Sequence, residues 1–219
     1  MHELHGLAAA RSRSTCFCAT ASFCHAPVQR GRDLVVVIDA SGSMQTHLPL
    51  VVNEVKRMVE ALKPTHRLTV VTFSGRGVWE PPFDHGPTCL PTCTPKWKAS
   101  LVDWLTLDRH SFKTGGSGAT HVLAALERAA SYEPELIFVL SDGSFGRSYA
   151  PGRIEIGADD MLASFRRHKE SRRRSKINTI QYLNEDPLAR AGRRGTLRAL
   201  AEETGGRHKF VSRRELNLR

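Results

Sequence analysis

Short runs that are apolar at nearly every position, separated by amphipathic segments, constrain the fold of this 219-residue chain most strongly. The clearest runs are "DLVVVID" (33–39), "RLTVVTF" (67–73) and "ELIFVLSD" (135–142). Such strands are typical of a parallel sheet that is covered on both faces. Because helical segments lie between the runs, the chain is predicted to form an α/β fold with right-handed crossovers. We therefore expect a mostly parallel sheet between two helical layers.

The rest of the chain continues this alternation of strands and helices. In the first predicted helix, Val51, Val55 and Met58 recur at helical spacing and give it one apolar face. We predict helices at "LPLVVNEVKRMVEALK" (48–63), "KWKASLVDWLTL" (96–107), "HVLAALERAASY" (121–132), "ADDMLASFRRHKESRRR" (158–174) and "TLRALAEETG" (196–205). We predict further strands at "VWEPPF" (78–83), "KINTIQYL" (176–183) and "HKFVS" (208–212).

The length of the chain favours one domain preceded by a short tail. We expect a mobile N-terminal tail over residues 1–31, because this segment mixes small residues with Arg, Cys and His and has no sustained period. The domain is predicted to occupy residues 32–219, with an irregular region rich in Gly, Pro and Cys at 74–95. No stretch reaches the roughly 18 apolar residues that cross a bilayer, so we predict no membrane span.

The cysteines indicate free thiols. Their number is odd, so they cannot all pair within one chain. Unpaired thiols favour a cytoplasmic location, while a secreted or membrane-associated one stays open. Zinc binding with His2, His5, His25 or His85 is less favoured, since the Cys-x-Cys and Cys-x3-Cys spacings differ from those of common structural zinc sites. The cysteines are Cys16, Cys18, Cys24, Cys89 and Cys93.

The chain is basic, with a formal net charge of +10, which favours encounters with acidic partners. The densest basic run is "RRHKESRRRSK" (166–176). Its cations go around a helix, and no aromatic residues interleave with them as stacking platforms would. A solvated helix end is therefore favoured, and we predict no specific nucleic-acid site. The cations of this helix are Arg166, Arg167, Lys169, Arg172, Arg173 and Arg174.

Three oxygen-bearing side chains follow the first predicted strand at alternate positions. In "VVVIDASGSM" (35–44), Asp39, Ser41 and Ser43 stand where the strand ends, and Gly42 lets the loop curl. Ligands of doubly wound folds bind beyond the carboxyl ends of the strands. Three oxygens aimed at one point there suit a hard cation, for which we predict Mg²⁺, with Mn²⁺ or Ca²⁺ as alternatives.

Two more oxygen donors fall at the same predicted edge of the sheet. Thr120 follows "GGSGA" at the start of the third helix, where its ordinary role would be a helix N-cap. Asp142 in "VLSDGS" ends a strong strand, where an aspartate commonly starts a turn. Their shared position with Asp39 favours one common site. His47 and His121 are expected near its rim, and we assign them no role.

With these residues in place, the sequence resembles the von Willebrand factor type A (vWA) domains and the integrin inserted domains. Their metal-ion-dependent adhesion site, or MIDAS, uses D-x-S-x-S, a threonine and an aspartate. The resemblance runs from about Asp33 to Ser212. Through "VIDASGSM", "INTIQYL" and "TLRALAEETGG" it points most to bacterial stand-alone or membrane-attached members, particularly of planctomycete type. It assigns the metal ligands to Asp39, Ser41, Ser43, Thr120 and Asp142.

The resemblance also implies a fold and a function. The fold is a Rossmann-like, doubly wound, mostly parallel six-stranded sheet with one antiparallel edge strand and helices on both faces. "VWEPPF" suits that edge, because prolines are tolerated there. The function is a divalent-metal-dependent adhesion or assembly module that grips an Asp or Glu of a partner protein. Because the family threonine commonly follows two glycines directly, and "GGSGAT" separates them, Ser117 is the reserve candidate for Thr120.

Two alternative functions remain open at this stage. A magnesium-dependent phosphatase of the haloacid dehalogenase type would use Asp39 as nucleophile and Asp159 and Asp160 as further metal ligands. Such enzymes usually carry a second aspartate two residues after the nucleophile, where this chain has Ser41, and first-turn helix acids explain the other two. A metal-free assembly scaffold is the second alternative. We expect a binding module and no enzymatic activity.

Overall fold

The computed structural model describes residues 22–23, 26–27, 32–83, 88–106, 121–149, 152–167, 175–182, 191–192 and 194–212. The strands are β1 (Ser22–Phe23), β2 (Ala26–Pro27), β3 (Asp33–Asp39), β4 (Arg67–Ser74), β5 (Gly77–Trp79), β6 (Leu136–Ser141), β7 (Gly146–Tyr149), β8 (Gly152–Glu155), β9 (Lys176–Tyr182) and β10 (His208–Val211). The helices are α1 (Leu48–Ala61), α2 (Pro95–Trp104), α3 (Val122–Ser131), α4 (Ala158–Arg166) and α5 (Thr196–Glu203).

Six strands form the main sheet, in the order β10-β9-β6-β3-β4-β5. Four neighbouring pairs, from β10 to β4, are parallel. The fifth pair is antiparallel, because β5 returns directly from β4 at the edge of the sheet. The predicted doubly wound, six-stranded sheet with one antiparallel edge strand is therefore confirmed.

The strand order reverses at β3, in the middle of the sheet. From β3 the chain passes through α1 to β4 on one side, and it later passes through α3 to β6 on the other side. The connections leave in opposite directions, and ligands of doubly wound folds bind beyond the carboxyl ends of the strands at such a switch point. Asp39 ends β3 and Asp142 directly follows β6. Both predicted acids therefore lie at the switch point.

Two apolar cores flank the sheet, because successive side chains of a strand point to opposite faces. Leu34, Val36 and Ile38 of β3 pack into the core on the side of α1 and α2. Val35 and Val37 pack into the core on the side of α3, α4 and α5. All five side chains are fully buried. This double coverage explains why the strand is apolar at every position from 34 to 38.

Local signals account for the bounds of the helices around the first core. Pro49 lies in the first turn of α1, where its missing N–H costs nothing. The Thr94 hydroxyl accepts a hydrogen bond of 3.2 Å from the Trp97 N–H and caps α2. At the other end of α1, the Lys98 ammonium of α2 donates to the Leu62 carbonyl, which places a positive charge at a helix C-terminus.

The edge strand is present but shorter than "VWEPPF" predicted. Strand β5 covers Gly77–Trp79 and pairs with β4 through Thr72↔Trp79. It ends before Pro81 because a proline has no N–H to offer to the ladder. The prolines thus set the end of the edge strand and do not belong to it.

A hairpin that was not predicted from the sequence follows β6. Strands β7 and β8 pair antiparallel, from Gly146↔Glu155 to Tyr149↔Gly152. At its base the Ile156 N–H donates to the Phe145 carbonyl at 3.3 Å, and both side chains are buried in the second core. The Pro-Gly pair at 151–152 is the turn signal in the sequence that could have indicated this hairpin.

Other predictions fall mostly outside the described residues. Of the predicted tail over 1–31, the structure describes only β1 and β2, which pair with each other, and β1 lies beside α1. Residues 168–174 of the predicted fourth helix also lie outside, so only its first part, α4, is observed. The tail and the domain boundary at residue 32 stay predictions. Within the described ranges, every helix is too short or too polar to cross a bilayer.

Candidate metal site

Asp39 is the last residue of β3, and its carboxylate is completely buried. The Oδ1 atom accepts a hydrogen bond of 2.9 Å from the Ser41 N–H. The Oδ2 atom accepts one of 2.6 Å from the Ser141 hydroxyl. A buried carboxylate needs such donors, because an unpaired buried charge is very costly. The two bonds fix the orientation of the Asp39 side chain.

The loop after Asp39 turns sharply through a single 3-10 turn at Gly42–Met44. The hydroxyl oxygens of Ser41 and Ser43 lie 3.1 Å apart, with Ser41 buried and Ser43 exposed. The fully buried Met44 side chain anchors this turn in the first core. The loop therefore presents two neighbouring hydroxyl oxygens at the carboxyl end of β3.

Asp142 begins the turn after β6 and is 1% exposed. Its Oδ1 atom accepts a hydrogen bond of 2.9 Å from the Ser144 N–H, whereas its Oδ2 atom has no hydrogen-bond partner among the described residues. Gly143 has a φ of +83°, and a Cβ at this residue would come within 2.6 Å of Gln181 Nε2. The turn therefore requires glycine at 143 and lies directly against Gln181.

Three polar residues form one row across neighbouring strands at this edge of the sheet. The register Ile38↔Leu140 places Asp39 of β3 level with Ser141 of β6. The register Ser141↔Gln181 extends the row to β9. These positions alternate with Ile38 and Leu140, which belong to the first core, so the row faces the side of the second core. These three hydrogen-bonding side chains thus lie where the second core ends, at the carboxyl ends of the strands.

The surroundings of Asp39 alter its ionisation. Burial raises the pKa of Asp39 to about 6, while the hydrogen bonds from Ser141 and Ser41 oppose the rise and the negative charge of Asp142 adds to it. In the part of the chain that the structure describes, no cationic side chain forms an ion pair with either carboxylate. Among the described residues, the two buried carboxylates thus share one edge of the sheet without a cationic side chain in contact.

The residues present fit a hard divalent cation. Asp142 Oδ2 is a buried acceptor without a donor in the described residues, and Asp39 brings a second carboxylate. Ser41 and Ser43 add neutral oxygens, and Mg²⁺ commonly completes its octahedron with water. A zinc site of the usual kind finds no support, since the described ranges contain no group of three or more His, Cys, Asp or Glu side chains placed to hold a metal ion.

The structure places four of the five predicted ligands at this edge, namely Asp39, Ser41, Ser43 and Asp142. Their role as metal ligands stays a prediction.

Thr120 and its reserve candidate Ser117 lie outside the described residues. The N-cap position of α3 is His121, whose side chain makes no capping hydrogen bond. His47 is the buried N-cap of α1.

Ser141 and Gln181 also contribute to this edge, although neither was predicted as a site residue from the sequence. Ser141 stands beside Asp142 in "LSDG", but only the strand register shows that its hydroxyl meets the Asp39 carboxylate. Gln181 lies 39 positions from Asp142 in the chain and donates to its carbonyl at 3.4 Å. A polar residue in an otherwise apolar, buried strand end is the signal that could have identified both positions.

The acids of the phosphatase alternative lie in a different setting. Asp159 and Asp160 are exposed in the first turn of α4. The Asp160 carboxylate accepts a hydrogen bond of 3.0 Å from the Gly157 N–H, which is the usual role of an acid at a helix N-terminus. This geometry accounts for Asp160 without a metal.

Of the predicted basic run, Arg166 and Arg167 are described at the end of α4, and both are exposed. Arg167 donates to Glu127 Oε1 of α3 at 2.8 Å. Of the cysteines, Cys89 is exposed and Cys93 is buried, and both are free thiols. Cys16, Cys18 and Cys24 lie outside the described residues.

Comparison with solved structures supports this fold. A von Willebrand factor type A protein from Catenulispora acidiphila superimposes with a TM-score of 0.57 at 16% identity, over 81% of this chain and 38% of that one. The pilus adhesin SpaC from Lactobacillus rhamnosus GG, in an open conformation, gives 0.59 at 13%, over 84% and 28%. The PilB minor pilin from Streptococcus sanguinis gives 0.54 at 13%, over 86% and 59%. At these identities the likeness shows the fold alone.

This chain spans less than two thirds of the length of each of these proteins. No curated protein sequence matches it significantly. The family model described as "von Willebrand factor type A domain" matches residues 33–215, from the start of β3 to beyond β10. Because this match covers most of the chain, and the sheet has the six strands and the one antiparallel edge that the resemblance implied, the chain belongs to the von Willebrand factor type A domain family.

Proposed function

We propose that this vWA domain binds one divalent cation, Mg²⁺, at the carboxyl edge of its sheet and uses it to grip an acidic side chain of a partner protein. The observation that carries the proposal is the pair of buried acids, Asp39 and Asp142. Both are shielded from water, and Asp142 Oδ2 has no donor within the described ranges. A cation between them would relieve their repulsion and satisfy the free acceptor.

Five residues would hold the ion, and their chemistry suits a site that keeps a position for a visitor. Three of them are neutral hydroxyls, and Asp39 already accepts two hydrogen bonds, which limits the charge that it donates to a metal. When bound, the ion would supply a positive charge that attracts a further carboxylate at its open face. The proposed ligands are Asp39, Ser41, Ser43, Thr120 and Asp142, with Thr120 taken from the family resemblance.

An acidic protein is the partner that fits this site best. The formal net charge of +10 raises the encounter rate with acidic surfaces, and the ion would select a carboxylate at short range. Two proteins with similar folds are described as a pilus adhesin and a minor pilin. Their descriptions support our proposal that this chain also has an adhesion or assembly role, as a bacterial stand-alone or membrane-attached vWA protein.

The phosphatase alternative is less consistent with the geometry. A nucleophilic carboxylate needs one oxygen exposed toward the phosphorus atom. Both oxygens of Asp39 accept hydrogen bonds, and the residue has no exposed surface. In addition, Ser41 provides a hydroxyl where an acid is needed, so we propose that the domain is not an enzyme.

Water proton relaxation with Mn²⁺ in place of Mg²⁺ tests the proposal. Because water completes the coordination shell, titration of the unsubstituted protein should give a saturable relaxation enhancement. A short peptide with a central glutamate should then lower the enhancement by displacing water, whereas the same peptide with glutamine should not. Asp142→Asn should greatly weaken the enhancement.

Each other outcome points to a different function. No enhancement with the unsubstituted protein would favour the metal-free scaffold. A relaxation enhancement that does not change when the glutamate peptide is added would refute the binding of a partner carboxylate to the ion. Cation-dependent hydrolysis of p-nitrophenyl phosphate that disappears in Asp39→Asn would favour the phosphatase.

A further inference from the structure

We propose that Ser141 is a positioning residue that couples the two acidic loops of the site, so that the affinity for the cation depends on its hydroxyl group. The proposal rests on the proposed cation binding and extends it to a residue outside the five ligands. It also assigns a reason for a buried polar side chain in the last position of the central strand β6.

The Ser141 hydroxyl makes two hydrogen bonds of opposite sense. It donates to Asp39 Oδ2 at 2.6 Å and accepts from the Gly143 N–H at 3.1 Å. Since a carboxylate oxygen can only accept, the hydroxyl proton is committed to Asp39, and this leaves its lone pairs for Gly143. One atom therefore joins the end of β3 to the turn that carries Asp142.

The sheet makes this arrangement rigid. Ser141 and Asp39 lie level on neighbouring parallel strands. The Ser141 hydroxyl therefore reaches the Asp39 carboxylate from within the sheet, and the contact does not depend on the conformation of a loop. On the other side, Gln181 is level with Ser141 on β9, and its Nε2 atom donates to the Asp142 carbonyl at 3.4 Å. The turn at Asp142 and Gly143 is thus held by hydrogen bonds to Ser141 and to Gln181.

Each of the two carboxylates also accepts one hydrogen bond from a backbone N–H of its own loop. The Ser41 N–H holds Asp39 Oδ1, and the Ser144 N–H holds Asp142 Oδ1. These bonds stay within a loop and fix nothing about the distance between the two acids. The Ser141 bonds cross from one loop to the other, so they set the spacing that a cation between the acids would need.

Removal of the hydroxyl should therefore weaken cation binding more than it weakens the fold. Loss of a hydrogen bond that orients a metal ligand typically costs roughly ten- to hundred-fold in metal affinity. In Ser141→Ala, Asp39 loses one of its two orienting donors and the buried Gly143 N–H loses its acceptor. Ser141→Thr keeps the hydroxyl, and threonine is well suited to a strand.

The experiment measures Mn²⁺ affinity by electron paramagnetic resonance of the free ion, and it measures the unfolding temperature of each variant in chelator. The variants of the full chain are Ser141→Ala, Ser141→Thr and the control Thr69→Val. Thr69 is fully buried in β4 near its amino end, and its hydroxyl has no partner in the described part of the chain. Its replacement removes a buried hydroxyl from the same sheet without contact to the site.

We expect roughly ten- to hundred-fold weaker Mn²⁺ binding in Ser141→Ala, with most of the affinity kept in Ser141→Thr and all of it in Thr69→Val. If Ser141→Ala does not fold, Ser141→Cys replaces it, because cysteine has a similar volume and is only a weak donor. Unchanged affinity in Ser141→Ala, or equal loss in Ser141→Thr, would overturn the coupling role and leave cation binding intact. Absence of binding in the unsubstituted protein would overturn both proposals.

Discussion

Asp39 ends a strand in which every side chain is buried, so its carboxylate can meet hydrogen-bond donors only at the carboxyl edge of the sheet. There the Ser41 N–H and the Ser141 hydroxyl serve one oxygen each. These two bonds do not fully compensate burial, since the pKa of Asp39 still rises to about 6. Burial of the Asp39 carboxylate therefore lowers the stability of the fold, as is common for groups that bind a ligand.

The metal-free protein should reveal this cost through its pH dependence. The Asp39 carboxyl ionises near pH 3.8 in the unfolded chain and near pH 6 in the folded one. Between these two pH values the folded state holds a proton on Asp39 that the unfolded state has released. The stability that this proton contributes is fully present below pH 3.8 and is lost as the pH rises through 6. The shift corresponds to a contribution on the order of 3 kcal/mol.

Chemical unfolding in chelator at pH 4 and pH 7.5 measures this contribution, with Asp39→Asn as the non-titrating reference. The unfolding free energy of the wild type should fall relative to that of the variant as the pH rises, because only the wild type loses the proton. A difference between the two proteins that stays constant over this range would show that Asp39 does not titrate in this way.

The two described cysteines should differ sharply in reactivity. Cys93 is fully buried, and burial raises the pKa of its thiol to about 11, whereas Cys89 is exposed. We therefore compare the number of thiols per native chain that a disulfide reagent labels at pH 8. This number should fall by one in Cys89→Ser and should not change in Cys93→Ser. Equal losses in the two variants would show that the segment before α2 opens readily.

The close contact between α5 and β9 sets the position of the last strand. The Thr204 hydroxyl at the end of α5 accepts a hydrogen bond of 3.0 Å from the Ile177 N–H of β9. Gly206 then passes so close to the Ile177 carbonyl that a Cβ would overlap it. The chain can enter β10 only because residue 206 has no side chain.

Gly206→Ala should therefore destabilise the domain by roughly 1–3 kcal/mol, since either the backbone of β9 or the end of α5 must move. The preceding residue offers the matched control. Gly205 has a φ of +71° and open space at its Cβ position, and asparagine tolerates this conformation. Thermal unfolding should show a much smaller loss for Gly205→Asn, and equal losses would refute the close-contact argument.

The alternation of buried strands and amphipathic helices along the whole chain was sufficient to predict a mostly parallel sheet between two helical layers, whereas the antiparallel edge strand was implied by the family resemblance. A strand such as 33–39 has apolar residues on both faces, and this pattern has few solutions other than a parallel sheet between helices. The edge strand was predicted too long because Pro81 and Pro82 were counted into it. The β7–β8 hairpin was missed because its sequence does not alternate clearly between apolar and polar residues.

The candidate site was predictable only in part, for a reason that lies in the register of the strands. Asp39, Ser41 and Ser43 are neighbours in the chain, so their spacing indicated a shared loop. Ser141 and Gln181 join the site only because β6 and β9 place them level with Asp39. Register between distant parallel strands depends on how two cores pack, and no local pattern in one strand reports it.

Titration calorimetry with Mg²⁺ measures cation binding to the unsubstituted protein and to Asp142→Asn. We expect one saturable site per chain at pH 7.5, with affinity at least about ten-fold weaker in Asp142→Asn, because the variant lacks the buried carboxylate whose Oδ2 has no donor in the described residues. Thr69→Val should bind as the wild type does. Saturable binding that is equally strong in Asp142→Asn, or no saturable binding to the wild type, would contradict the account.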